Sequence, residues 1–100
     1  MPAYVVAMID VHDPEPYRKY SERTPATLKK HGGRFVTRGG AVTALEGDGF
    51  EGRMVILEFP DRASAEAWYA DPDYVRTRTF RHAASTAKLF VLQDGAGQRP

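Results

Sequence analysis

One carboxylate stands where burial penalises charge. The stretch Arg53–Phe59, RMVILEF, reads as a strand, and Glu58 sits one residue before Phe59-Pro60. Alternation puts Glu58 on the face of Met54 and Ile56. An ionised carboxylate in a half-buried position needs a cation or several hydrogen-bond donors. If Glu46 lies opposite Arg53 across the intervening turn, Ala41 falls opposite Glu58. Arg38 is then the nearest cation and Arg81 the second. Glu58 has three roles open to it: a structural ion pair where the strand bends, a general base or ligand anchor at the sheet end, or a plain surface charge. In the same register Glu46 and Arg53 form a cross-strand pair on the other face, contributing about 0.2–1 kcal/mol.

Other chemistry-bearing residues fall into two groups. Tyr17, Tyr20, Trp68, Tyr69 and Tyr74 combine apolar bodies with polar tips, which suits a pocket for a planar ligand and equally suits a core whose hydroxyls reach backbone partners. Arg76, Arg78 and Arg81 lie in YVRTRTFRH, where Arg78, Arg81 and His82 share one helical face. Such a face holds a carboxylate or phosphate, or is simply solvated. The histidines His12, His31 and His82 form no ligand-spaced pair. Asp10 and His12 alternate onto one strand face, but two ligands do not make a metal site, so no metal is expected. GDGFEG fits neither nucleotide fingerprint and precedes a strand. No serine sits in a nucleophile elbow. No cofactor is expected.

These residues are positioned by a simple series of elements. Ala3–Val11 is β-branched and apolar on both alternating faces: Tyr4, Val6 and Met8 point one way, and Ala3, Val5, Ala7, Ile9 and Val11 the other. A strand of that kind is covered on both sides. Asp13, Pro14 and Glu15 open a helix running to about Lys30, kinked by Pro25 and closed by Gly32 in a left-handed cap. Arg34–Glu46 reads as one long strand bent at Gly39-Gly40. Arg53–Phe59 is the next strand. Pro60 stops it, and Asp61 caps a helix through Ala70. Asp71-Pro72 opens a second helical segment, and Ala87–Leu92 is the last strand. Residues 1–93 make one domain, and 94–100 read as a loose polar tail.

The order β-α-β-β-α-β, with right-handed crossovers, gives a ferredoxin-like α+β sandwich: a four-stranded antiparallel sheet with helices on one face. The helices cover one face, yet the strands are apolar on both. A second copy is the simplest cover for the other, so a homodimer forming an α+β barrel is expected.

Composition narrows the partners. Fourteen Lys/Arg against thirteen Asp/Glu give a net charge of +1, with no basic excess to neutralise a phosphate backbone, so nucleic acid is disfavoured. A chain of 100 residues buries roughly 65% of its unfolded surface, enough for one modest core. No apolar run approaches a membrane span. The start MPAYVVAMID is strand-like without a charged leader, and a cytoplasmic location is the default. Without cysteine there is no disulfide, thiol nucleophile or thiolate metal site.

The combination HGGRFVTRGG, LEG, GRMVILEFPDRASAEAWYADPDY and a following arginine, Arg81, resembles the family called domain of unknown function 1330, over about Pro2 to Leu92. The resemblance implies membership of the dimeric α/β-barrel superfamily and a small, ferredoxin-like, dimerising protein. It implies no reaction. Superfamily relatives include cofactor-free monooxygenases, haem-degrading enzymes and cyclases of aromatic polyketides, an analogy at the level of fold. Two functions follow as expectations. One is binding of a small aromatic or anionic metabolite in a cleft between sheet and helices, through Arg38, Arg81, Tyr17, Tyr20, Trp68, Tyr69 and Tyr74. The other is a cofactor-free enzyme, of monooxygenase or cyclase type, with Glu58 as base. A purely structural assembly role is the third possibility.

Overall fold

The computed structural model describes residues 1–95. Its elements run β1 (Ala3–Val11), α1 (Pro14–Lys29), β2 (Arg34–Arg38), β3 (Arg53–Phe59), α2 (Arg62–Ala70), α3 (Pro72–Ala84) and β4 (Ser85–Asp94). The sheet is antiparallel with order β2-β3-β1-β4. This is the ferredoxin-like α+β architecture, with the second crossover built from two helices. Of the expected tail, Asp94 closes β4 and residues 96–100 lie outside those described.

Alternation along β1 divides the sheet as expected. Ala3, Val5, Ala7 and Ile9 are buried beneath the helices, whereas Tyr4, Val6 and Met8 are half-buried on the face that no helix covers. The most deeply buried side chains are Trp68, Tyr74, Phe59, Ile9 and Leu28. Trp68 packs on Tyr74 with ring centroids 4.0 Å apart and donates its indole N–H to Thr27 Oγ1 at 3.1 Å.

The helix ends follow their residues. Asp61 accepts from the Ser64 amide at 2.7 Å and Asp71 from the Asp73 amide at 2.8 Å, each satisfying an amide that the first turn leaves free. Asp13 occupies the cap position of α1 in extended conformation, but its side chain makes no capping bond. At the other end Gly32 takes φ +71°. The Gly33 amide reaches Leu28 O and the Gly32 amide Lys29 O, the paired closure that favours glycine. Gly33 also lies under Phe59, whose ring a Cβ there would meet at 2.6 Å.

The β2–β3 region differs from expectation. The strand from Arg34 ends at Arg38, because Gly39 turns the chain away at φ +77°, its amide reaching Met54 O. Residues 40–52 form an irregular connection in which Leu45 is 93% exposed. The bulge is at Val36, between the pairs Phe35–Leu57 and Thr37–Ile56. The Glu46–Arg53 pair is therefore not formed. Arg34 lies opposite Glu58 instead, and burial of Phe35 beside Leu57 sets that register.

A charge cluster ties the end of α1 to the start of α3. Asp71 Oδ2 lies 2.8 Å from His31 Nε2 and 2.9 Å from Lys30 Nζ, and Lys30 also reaches Asp73 at 3.0 Å. His31 first, then Lys30 and the Asp73 amide, hold the Asp71 carboxyl well below the usual carboxylate range.

Two expectations test this packing. Thr27→Val leaves the Trp68 indole N–H buried without its acceptor. Urea denaturation should show a loss of about 1–3 kcal/mol, and an unchanged midpoint would contradict the pairing. A depressed folded-state pKa adds stability above the unfolded value, and that stability is lost as pH falls below it. Asp71→Asn should therefore lower the melting temperature at neutral pH. The two melting curves should converge as pH falls below about 3.8, the ordinary value of the carboxyl. A constant difference across that window would show that Asp71 acts through something other than its charge.

Candidate functional site

Glu58 is satisfied, but by partners other than those expected. Tyr4 donates its hydroxyl to Oε2 at 2.8 Å, and Arg34 donates from Nε to Oε1 at 2.8 Å. The Tyr4 hydrogen bond first, then Arg34, lowers the Glu58 pKa. Arg38 is not its partner, because the register runs Arg34–Glu58 and the Val36 bulge moves Arg38 opposite Val55, on the other face. Glu58 thus lies on the open face with Tyr4, Met54 and Ile56, across the sheet from the helix side.

A cavity lies between the covered face and α1. Its floor comes from the sheet: Ala7 and Ile9 of β1, Val55 and Leu57 of β3, and Phe90 of β4. Its roof is Tyr17, Tyr20, Ser21 and Thr24, and its rim is Phe35, Arg38 and Arg53. The enclosed space is about 30 Å³, room for water and no more. None of the described lining residues is a carboxylate or a histidine.

Arg38 has a task that follows from the helix above it. Pro25 has no amide N–H, so the carbonyl four residues earlier, that of Ser21, loses its helical donor. Arg38 Nη2 supplies it at 2.6 Å, while its guanidinium lies 4.4 Å from the Phe35 ring centre. Arg38 is therefore fixed, at the cavity rim, on both α1 and β2.

Arg81 is the anomaly. It is 3% exposed, and no carboxylate pairs with it among the described residues. Its Nε is buried without a hydrogen-bond partner, and Nη2 lies 3.4 Å from His82 Nε2. The guanidinium instead rests against aromatic faces, 4.3 Å from the centre of Phe90 and 5.6 Å from that of Tyr20, with the neutral Tyr74 hydroxyl as a polar neighbour. Both rings are cavity walls, so Arg81 sits one side-chain layer behind the cavity. A buried cation without a counter-ion is costly, and π faces offset only part of that cost.

The tyrosines divide similarly. The Tyr20 and Tyr74 hydroxyls share a hydrogen bond of 2.9 Å. Burial first, and then Tyr20, pushes the Tyr74 hydroxyl far above the usual range. Burial also raises Tyr17, and Tyr20 adds to it, while Arg53, Arg81 and Arg38 pull it back. All three cations therefore act on one cavity wall. Trp68 and Tyr74 belong to the core, and Tyr69 is a partly exposed ring under Arg78. Of the residues singled out in the sequence, the cavity collects Tyr17, Tyr20 and Arg38, with Arg81 behind them. Trp68, Tyr69 and Tyr74 do not line it, and Glu58 is on the other face.

Arg53, expected in a surface pair with Glu46, stands at the cavity rim, 5.3 Å from the centre of the Tyr17 ring. The available signal was its alternation phase, shared with Val55, Leu57 and Phe59.

Among solved structures, a protein of unknown function from Rhodopseudomonas palustris is similar, with TM-score 0.73, 21% identity, and coverage of 99% of this chain and 84% of that one. SnoaB, a cofactor-independent oxygenase from Streptomyces nogalater, gives TM-score 0.68 at 21% identity, over 99% and 97%. Rv0793 from Mycobacterium tuberculosis gives 0.51 at 11%, over the full length of both chains. At these identities the likeness is one of fold. No curated protein matches the sequence. The profile of the family described as Domain of unknown function (DUF1330) matches residues 2–94, and the chain belongs to that family.

Proposed function

We propose that this protein binds a small aromatic molecule bearing an anionic or enolisable oxygen in the cavity between the sheet and α1, and does so as a dimer. The observation that carries this reading is Arg81, a buried guanidinium without a carboxylate, set behind the aromatic wall of that cavity. A ligand anion would supply the charge that the described residues do not, in a low-dielectric site where the attraction is strong. The apolar floor and the Tyr17–Tyr20 roof suit a planar ring. The dimer is supported by the open face, where Val6, Met8, Met54, Ile56 and Leu89 are half-buried and Val91 is exposed. No helix among the described residues is long and apolar enough to cross a membrane.

An enzymatic reading has support from the likeness to SnoaB, whose chemistry needs no cofactor. The cavity offers cations to stabilise an enolate and, among its described lining residues, no carboxylate or histidine to form one, so a substrate there would have to ionise itself. Glu58 as base would serve a site on the open face. Its two oxygens are engaged there and its proton affinity is lowered, which weakens it for that task.

Two measurements test the proposal. In ligand-observed NMR with a panel of one- and two-ring aromatic acids, the wild type should bind at least one. Arg81→Gln should weaken that binding at least tenfold, or about 1.4 kcal/mol; no binding at millimolar concentration would contradict the reading. For assembly, Ile56→Lys or Met8→Lys should give monomers or insoluble protein by light scattering. Stable dimers from both variants would mean that this face is not the interface.

A further inference from the structure

The cavity does not end at its rim. Outside it lies a hollow of about 520 Å³, bordered by Asp10 and Val11 of β1, Arg18 of α1, and Gly39, Glu51 and Gly52 of the β2–β3 connection. Tyr17 and Arg53 border both spaces, so these two side chains form the partition between them. An apolar cavity that accepts a benzene ring is on the order of 150 Å³, several times the 30 Å³ inside. A ring can enter only if the partition moves.

The two partition residues are held very differently. Tyr17 is 4% exposed and packs on Tyr20 with centroids 5.5 Å apart. Arg53 makes no side-chain hydrogen bond or ion pair among the described residues, and only the Tyr17 ring face holds it. The neighbouring arginines are committed elsewhere: Arg38 to Ser21 O, and Arg18 to Glu15. Space for Arg53 is kept by Gly39. A Cβ there would lie 2.7 Å from Arg53 Nε and 3.0 Å from Cζ, and the φ of +77° already disfavours any other residue.

We propose that Arg53 is the gate of this cavity and the residue that selects a carboxylate on the outward end of the ligand, the inward end being an oxygen near Tyr20 and Arg81. The ligand class is thus a single aromatic ring with oxygen functions at opposite ends, of the 4-hydroxybenzoate type. This deepens the reading above and rests on it. The ring would lie on Ile9, Val55, Leu57 and Phe90, the phenolic oxygen, ionised as the phenolate, would face Tyr20 and supply the charge near Arg81, and the displaced Arg53 guanidinium would close over the carboxylate as a fork.

The test compares 4-hydroxybenzoate with 4-hydroxybenzamide, its neutral near-isostere, by calorimetry. Wild type should prefer the acid at least tenfold. Arg53→Gln should erase that preference while leaving the affinity for the amide within about twofold. A retained preference for the acid in Arg53→Gln overturns the assignment of Arg53 and leaves the cavity reading intact. Binding of neither compound to the wild type overturns both. If Arg53→Gln does not fold, the side-chain Nε–H signal of Arg53 in the wild type decides. It should shift with the acid and stay in place with the amide; no shift with bound acid overturns the proposal.

Discussion

The two-residue period of β1 and β3 is the constraint on which the rest depends. In a sheet with helices on one side, each neighbouring pair of residues is divided between a covered face and an open one. Val55 and Leu57 face α1 while Met54, Ile56 and Glu58 face away. The molecule therefore carries two separate chemistries. On the open face a carboxylate is locked between a tyrosine and an arginine amid aliphatic residues. On the covered face arginines and tyrosines surround a small cavity with no acid among its described walls.

The distribution of cations on the covered side reflects what each guanidinium has to satisfy. Arg38 replaces a helical hydrogen bond that Pro25 removes, so a local defect in α1 becomes a tie between helix and sheet. Arg53 stands at the rim with no ion pair or side-chain hydrogen bond among the described residues, only the Tyr17 ring face. Among the described residues Arg81 has aromatic faces, the Tyr74 hydroxyl and a neighbouring histidine, whose pKa burial and then Arg81 itself push down. Near-complete burial of a cation with an unsatisfied Nε is hard to explain as packing, since an apolar chain of similar volume would do that better. In the proposed reading a ligand anion would supply the missing charge.

Much of this was legible in the residues. The doubly apolar β1, the caps at Asp61 and Asp71, the Gly32 closure and the alternation that places Glu58 with Met54 and Ile56 are all local rules, and the topology follows from their order. Register was not legible. The glycine pair at 39–40 marks a departure from the sheet rather than a bend within it, and the irregular connection that follows slides β2 along β3 until Arg34, not the Arg38 region, faces Glu58; the extra residue at Val36 then turns Arg38 to the other face. The division of the aromatic set between cavity and core was not legible for the same reason. Trp68 and Tyr74 have polar tips that find Thr27 and Tyr20 inside the core, a long-range fact that composition does not carry.

The claim that Arg81 is a buried charge without a protein counter-ion is tested most directly by denaturing Arg81→Met in the absence of any ligand. Removing one member of a buried ion pair costs about 3–5 kcal/mol because it strands the other charge, whereas removing an unpaired buried charge strands nothing and recovers its desolvation cost. Stability equal to or greater than that of the wild type is the expected result. A loss of several kcal/mol would show that the protein itself satisfies Arg81, and the case for an anionic ligand behind the cavity wall would fall with it.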